Sequence, residues 1–517
     1  MDKLDTPQFV SKSALRFFSG TVLSKISGML RDVAMAFYFG TSPSIAAFLL
    51  TFRFVYLSRR LFGESLLHQG FIPHFEQKNM QDLRLGALFF RDLFWSMVFF
   101  LAAFVGIAEG ALSFFGGETV HLASLMLPGV FFICLFGFCS GLLQSQKSFF
   151  TPSVAPVLSN TVWIMGILAF KHLPVSKAAV GLAVVLSFAF FVQWLATVPK
   201  VFDFLKKQLS LKEIFQVRLF SSEIRALLRP LLLGMIGVAS VQINSALDGV
   251  FARFASDEGP AYLWYAIRLQ QLPLSLFAVA LSSALLPSLS RAFERGEKEQ
   301  YFSLISFARK KIFALVFPCV VGILVLGLAS VNLLFGRGDF GAIATHQTTL
   351  CLWFYGLGLV PMALSGIYAP AFYAKKDYKT PSMGFVLSTV VNILLNALFV
   401  FYFKMGAVSI ALATSIASAL NVWYLARKLR IPNARDSSPR VALSALCSGV
   451  IVLGFGYFAL GDQSVLLLIR EGLVFPRIWS TQALHLFSQT ALFFGIFFLL
   501  CEREVYSSIF AQRKSTS

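Results

Sequence analysis

The chain has 517 residues, of which 57% are hydrophobic and only 13% charged, with 58 phenylalanines and a formal net charge of +19. Soluble domains carry about 25% charged residues, and a soluble chain of this composition could not cover its apolar mass with polar surface. A soluble globular protein is therefore excluded, and with it the nucleic-acid partner that so basic a chain would otherwise invite; what remains is an all-α polytopic membrane protein.

Residues 1–15 are polar and lead into a long apolar segment with no small-residue cleavage site, so no cleavable signal peptide is expected. Fourteen candidate spans follow, at 16–40, 43–71, 86–110, 120–145, 151–170, 178–198, 227–255, 259–286, 311–335, 344–371, 381–403, 406–426, 441–461 and 481–502. Most are long enough to cross a hydrocarbon core of about 30 Å with some tilt. The cysteines Cys134, Cys139, Cys319, Cys351, Cys447 and Cys501 lie in or beside apolar runs and read as small buried residues, not as disulfides or metal ligands. No phosphate-cradling glycine loop, Cys/His metal signature or nucleophile with its base is evident, so no enzyme is expected.

Basic residues set the expected topology. With the N-terminus in the cytoplasm, 31 of the 44 Lys and Arg fall in inner loops or inner span ends and six in the short outer loops. By the positive-inside rule both termini are expected in the cytoplasm. An internal repeat is also present. "TPSVAPVLSNTV" from Thr151 opens span five and "TPSMGFVLSTVV" from Thr380 opens span eleven. A weaker pair, "FIPHF" and "LLPSL", closes spans two and eight. Each pair lies six spans apart, which predicts two six-helix lobes related by a pseudo-two-fold axis along the membrane normal, with two extra C-terminal helices. The expected division is 1–198 for the N-terminal lobe, 199–226 for a cytoplasmic amphipathic linker and 227–430 for the C-terminal lobe. Spans thirteen and fourteen occupy 441–502 and a cytoplasmic tail 503–517. Within the linker, "LKEIFQVRLFSSEIRALL" predicts an amphipathic helix on the inner surface.

The seven remaining basic residues, Lys25, Arg31, Arg53, Arg59, Arg60, Arg253 and Arg268, fall inside spans one, two, seven and eight. Each would cost roughly 2.5–3.5 kcal/mol at mid-bilayer, so they are expected to face a wet cavity or one another. Counted from the outer span ends, Arg31 and Arg268 lie roughly 13 Å deep and Arg53 roughly 15 Å. Lys25, Arg59 and Arg60 lie roughly 22–26 Å deep. Ser24, Gly28 and Arg31 share a helix face, and Lys25 and Asp32 could lie on a common stripe. Asp32, Glu64 and Asp248 are the clear intramembrane carboxylates, too few to pair every cation. A net positive cavity suits an anion, and planar guanidiniums suit phosphates. The competing reading is that these arginines snorkel or form buried pairs with the three acids; Arg253, near an outer end, is a candidate for snorkelling. A second polar group comprises Asp248, Asn392, Asn396 and Thr414. Such oxygens could hold Na⁺ or could simply hydrogen-bond between helices.

The segments "SKISGMLRDVAMAFYFG", "AAFLLTFRFVYLSRRLFGESLLHQGFIPHFE", "YAIRLQQLPLSLFAVALSSALLPSLS" and "PAFYAKKDYKTP" together resemble the MviN/MurJ lipid II flippase family of the multidrug/oligosaccharidyl-lipid/polysaccharide (MOP) exporter superfamily. The resemblance runs over essentially the whole chain. It implies two six-helix lobes around a cationic cavity, and an apolar groove on spans thirteen and fourteen for an undecaprenyl tail. By motif match it places the family's cavity arginines on Arg31, Arg59 and Arg268, a further basic residue on Lys25 and an acidic one on Glu64. Ala46, Tyr56 and Gln271 stand where the family has Asp, Asn and Glu. The family's Na⁺ site matches Asp248, Asn392 and Asn396 loosely.

The function expected from this resemblance is a flippase of peptidoglycan biosynthesis and cell-wall biogenesis. It would carry lipid II from the inner to the outer leaflet of the bacterial inner membrane by alternating access. Arg31, Arg59 and Arg268 would hold the headgroup, with Lys25, Arg53 and Arg60 as further cavity cations. Asp32, Glu64, Ser24 and Gly28 would serve gating or pairing. The expected partners are an undecaprenyl-diphosphate-linked saccharide-peptide lipid, membrane lipids and the cell-wall synthesis machinery, with no nucleic acid. The protein itself is expected to be a monomer. No cofactor is expected beyond Na⁺ as a coupling ion. The rival functions are an exporter of another undecaprenyl-diphosphate-linked oligosaccharide, a multidrug antiporter and, more remotely, a membrane-embedded lipid-processing enzyme. An antiporter would call for acidic cavity residues, and an enzyme for catalytic Asp, Glu or His on a substantial loop.

Overall fold

A computed structural model describes residues 7–65, 71–146, 148–219, 224, 242–430, 439–459 and 479–500. Among them there is no strand. The helices are α1 (Pro7–Phe39), α2 (Pro43–Ser58), α3 (Ile72–Gln81), α4 (Leu83–Leu112), α5 (Glu118–Ser145), α6 (Phe150–Phe170), α7 (Val175–Leu195), α8 (Val198–Gln208) and α9 (Leu211–Ile214). After them come α10 (242–255), α11 (Gly259–Pro273), α12 (Val279–Glu294), α13 (Lys298–Leu334), α14 (Ala342–Leu357) and α15 (Leu359–Ala374). The last four are α16 (Lys379–Ala397), α17 (Val408–Leu429), α18 (Pro439–Ala459) and α19 (Trp479–Leu500). Three π-helical turns, Arg59–Ser65, Leu274–Ala278 and Leu398–Tyr402, extend α2, join α11 to α12 and extend α16.

Each of the fourteen expected spans overlaps helix within the described residues. By length and hydropathy alone, eight described helices can cross a bilayer, or nine if α14 and α15, bent by 41°, form one span. The physical reasons for the shortfall differ. Charges interrupt α1, and π-helical turns shorten α2 and α11. Only part of span seven lies within the described residues. The repeated sequence does act locally as expected: Thr151 is the second residue of α6, and Thr380 is the second of α16.

The chain divides into two compact units, Met1–Gly249 and Val250–Ser517. In the first, Phe71, Phe75, Phe90 and Phe138 form an aromatic core against α8 and α9 residues Val201, Leu205 and Ile214. The π-helical turn after α2 sits directly on α5. A Cβ added at Gly137 would lie 3.0 Å from the Gly63 Cα, so glycine permits the backbones to approach. In the second unit, α18 and α19 pack on α13 through Val321, Val441, Val452, Phe493 and Phe497. Their other faces expose Leu443, Leu446, Val450, Leu484 and Phe487, on the helices to which the resemblance assigns a lipid-tail groove.

The expected amphipathic helix from Leu211 is not continuous: α9 and residue 224 are helical, residues 215–219 are not, and the rest of the segment lies outside the described residues. The Arg91 Nη1 of α4 donates to the Glu213 carbonyl at 3.0 Å, and the Trp95 Nε1 donates to the Ile214 carbonyl at 3.0 Å. Those are the acceptors that the next helical turn would need. The amphipathic element that does form is α8, with Val201 and Leu205 buried and Lys206 and Lys207 exposed. The start of α9 is a capping box in which Ser210 and Glu213 satisfy each other's backbone N–H groups. Arg84 on α4 adds an ion pair to Glu213 at 2.6 Å. The Ser210 backbone and hydroxyl donors, followed by Arg84, hold the Glu213 carboxyl down at about 2 from an ordinary 4.5. Because the folded value is depressed, this capping interaction is fully present above pH about 4.5 and is lost as pH falls towards about 2. Hydrogen–deuterium exchange of the 209–215 backbone, corrected for intrinsic rates, is expected to lose protection across that window. Glu213→Gln should flatten the dependence.

Candidate functional site

The first cluster of polar side chains lies inside the first unit, where α1 crosses α6. Arg31 is only 5% exposed and Asp32 only 3%. The Arg31 Nε and Nη2 donate to the Asp32 Oδ1 at 3.0 and 2.7 Å, and its Nη1 donates to the Asn160 Oδ1 at 2.9 Å. The guanidinium carbon stands 4.4 Å from the Trp163 ring centre and 6.0 Å from that of Phe52. Asn160 Nδ2 donates in turn to the Ser27 Oγ at 2.9 Å and the Ser24 carbonyl at 3.4 Å. A Cβ at Gly28 would lie 3.6 Å from the same nitrogen, an ordinary contact. Ser24, Gly28 and Arg31 thus share one face, turned to Asn160. In this structure Arg31 is paired with the carboxylate next to it in sequence. Lys25 is exposed while Asp32 is buried, so these two do not share a common environment.

Arg53 is also buried, at 7% exposure, and its Nη1 donates to the Ser245 carbonyl of α10 at 3.3 Å. A Cβ at Gly249 would come within 2.9 Å of Leu50 and 3.1 Å of the Arg53 side chain, so this glycine admits α10 beside α2. Arg253 bonds the Asp257 carbonyl and lies 3.4 Å from its carboxylate, which makes it an ion-paired residue. Arg59 opens the π-helical turn of α2, half-buried, with its guanidinium carbon 5.5 Å from the Tyr56 ring centre. Arg60 beside it is exposed. The Glu64 side chain lies outside the described residues.

In the second unit, Arg268 sits half-buried on α11, its guanidinium carbon 4.1 Å from the Trp264 ring centre. Two residues on, Gln270 is buried and donates to the Tyr355 carbonyl at 3.1 Å. The expected oxygen cluster forms in part. Asn392 and Asn396 are both 0% exposed. Asn396 Nδ2 donates to the Asn392 Oδ1 at 2.8 Å, and Asn392 Nδ2 donates to the Thr414 Oγ1 at 3.2 Å. Asp248, expected with them, is buried on α10 and belongs to the first unit. Among the described residues no group of three or more His, Cys, Asp or Glu has metal-binding geometry.

A family model described as lipid II flippase MurJ matches residues 35–470. The chain belongs to the lipid II flippase MurJ family. A probable lipid II flippase MurJ of Chlamydia trachomatis is 31% identical over 512 residues, covering 95% of this chain and 94% of that protein. Among solved structures, a lipid II flippase MurJ in an inward closed conformation superposes with a TM-score of 0.76 at 21% identity, over 95% of this chain and 98% of that one. An inward-facing multidrug resistance MATE transporter of the MOP superfamily gives 0.63 at 17% identity, over 82% and 99%. At such identities the two structures bear on the fold alone, and they agree with an all-helical membrane bundle.

In this member of the MurJ family, sequence reasoning missed the residues that seat the arginines. Asn160 and Trp163 are read in the sequence only as parts of the repeat and of span five. Tyr56 and Trp264 precede Arg59 and Arg268 by three and four residues, the spacing that stacks side chains on one helix face. That spacing was a usable signal. It recurs in Trp423 with Arg427 at 4.8 Å and Phe307 with Lys311 at 5.5 Å. Asp32→Ala, which strands a buried guanidinium, is expected to destabilise the protein by about 3–5 kcal/mol. Replacing Arg31 and Asp32 together with Met and Leu should restore most of that loss. Thermal unfolding in detergent micelles measures both.

Proposed function

We propose that the chain is a transporter that moves lipid II from the inner to the outer leaflet of the bacterial inner membrane by alternating access, with both termini in the cytoplasm. The observation that carries this reading is the placement of Arg59 and Arg268. Each lies on an intramembrane helix, half-buried and seated on an aromatic face, in a chain of this family. A ring beneath a guanidinium leaves its charge intact, so each residue offers a cation suited to a diphosphate. Lys25 and Arg60, both exposed on the same helices as Arg31 and Arg59, add to the positive field. Arg31, held by Asp32 and Asn160, orders α1 against α6. Moving two negative charges outward against an inside-negative potential gains roughly 4–5 kcal/mol per 100 mV. That contribution favours export without a further coupling step.

Na⁺ coupling is part of the proposal. The neutral oxygens of Asn392, Asn396 and Thr414 are hard donors held in position by their mutual hydrogen bonds, and such donors fit a monovalent cation. A bound Na⁺ would supply positive charge at that point of the second unit.

Arg59→Ala and Arg268→Ala are each expected to lower outward appearance of the lipid II headgroup by roughly 10- to 100-fold, the value of a hydrogen bond to a charged group. The Lys variants should fall between, because they keep the charge and lose the fork. Accessibility of the headgroup to an externally added reagent in intact cells gives the readout, and unchanged flipping in both Ala variants would reject the assignment. Depleting the protein should trap lipid II, not another undecaprenyl-diphosphate-linked oligosaccharide, on the cytoplasmic side.

A further inference from the structure

The first unit contains an apolar cavity apart from the polar clusters described above. α4, α5, α7 and α8 enclose a cavity of about 360 Å³, within the roughly 300–1,000 Å³ range of small-molecule sites. Its wall includes Phe94, Trp95 and Val98 of α4, Leu135 of α5, Trp194 of α7 and Phe202 of α8. Among the described residues the one charged side chain on the wall is Arg91, and its three guanidinium nitrogens are engaged elsewhere. Nε and Nη2 donate to Asp92 at 2.8 and 2.5 Å, and Nη1 donates to the Glu213 carbonyl. The Trp95 N–H is likewise held by the Ile214 carbonyl. Such a wall suits hydrocarbon and gives a polar headgroup nothing to hold.

The residues that neighbour this wall in sequence have the opposite character. Phe202 and Phe215 are part of the wall yet exposed at its edge. On the same short stretch of chain, Lys206, Lys207, Lys212 and Arg218 are all exposed, against the acids Asp203 and Glu213. From Phe90 to Val98 the wall extends about 12 Å along α4, starting at the basic end of that helix. An apolar slot running into the membrane from a basic edge matches a single hydrocarbon chain with an anionic head. We propose that this cavity binds one acyl chain of an anionic glycerophospholipid, whose headgroup rests on the basic rim of α8 and α9. The bound lipid would tie α8 and α9 to α4 and hold the linker against the first unit.

The test uses the full-length protein in nanodiscs with phosphatidylglycerol carrying a diazirine near the end of one acyl chain. Phosphatidylcholine and a polyprenyl diphosphate with the same label form the comparison arms. Peptide mapping should place the phosphatidylglycerol label on Val98, Phe131 and Leu135, about fivefold above lipid-exposed Met165 and Leu168 of α6 and about fivefold above the phosphatidylcholine arm. Leu135→Trp, which fills the cavity, should cut that labelling about tenfold and leave Met165 unchanged. The pair Lys206→Glu and Lys212→Glu should bring it down to the phosphatidylcholine value. Uniform labelling of all exposed apolar positions, equal yields from the two phospholipids, or preferential labelling by the polyprenyl diphosphate would each overturn the proposal. The wild-type comparison decides the matter even if the filled variant does not fold.

Discussion

A guanidinium that faces hydrocarbon costs roughly 2.5–3.5 kcal/mol in the middle of a helix, and this chain keeps five arginines and a lysine within its first two and eighth spans. The helices are arranged so that the arginines seen here meet protein groups, by routes with different consequences. Arg31 meets a carboxylate and an amide, which cancels its charge and makes it a packing element between α1 and α6. Arg53 meets a main-chain carbonyl of α10 and fastens that helix to α2. Arg59 and Arg268 meet aromatic faces, which stabilise a cation without neutralising it. The proposed function assigns these two ring-seated guanidiniums to the diphosphate.

The backbone near these groups departs from the α-helix in a consistent way. Arg59 is the first residue of one π-helical turn, Leu274–Ala278 follows the helix that carries Arg268, and Leu398–Tyr402 begins two residues after Asn396. A π-helical turn inserts an extra residue and rotates the helix face beyond it, and such turns concentrate at functional sites. The first is braced where Gly63 and Gly137 let the backbones of α2 and α5 meet, with the Cys134 thiol donating to the Ser58 carbonyl at 3.6 Å. Irregular backbone is tolerated within a membrane where neighbouring protein satisfies it.

Much of this was legible in the sequence. The apolar segments locate the helices, the repeated "TPS" openings mark the starts of α6 and α16, and the scarcity of acids picks out the intramembrane cations. The assignment of Ser24, Gly28 and Arg31 to one face holds because helix periodicity alone decides it. What the sequence hid depends on tertiary partners. Nothing local says that Asp32 bonds its own neighbour while Lys25 stays exposed, or that Asn160, far along the chain, completes the set. The predicted helix from Leu211 breaks at residues 215–219 for the same reason, since two α4 side chains take the carbonyls of Glu213 and Ile214. The aromatic seats of Arg59 and Arg268 were readable from their spacing of three and four residues.

Arg59 and Arg268 are proposed to contact the diphosphate of the lipid. That contact is tested most directly by placing single cysteines at positions 59 and 268 in a variant whose native cysteines, including exposed Cys447, are replaced. The rate of modification by a charged, membrane-impermeant thiol reagent is then measured with and without a diphosphate-bearing lipid. The account predicts reaction at both positions, slowed by the lipid. Reaction with lipid-soluble reagents alone, or rates indifferent to the diphosphate, would contradict it.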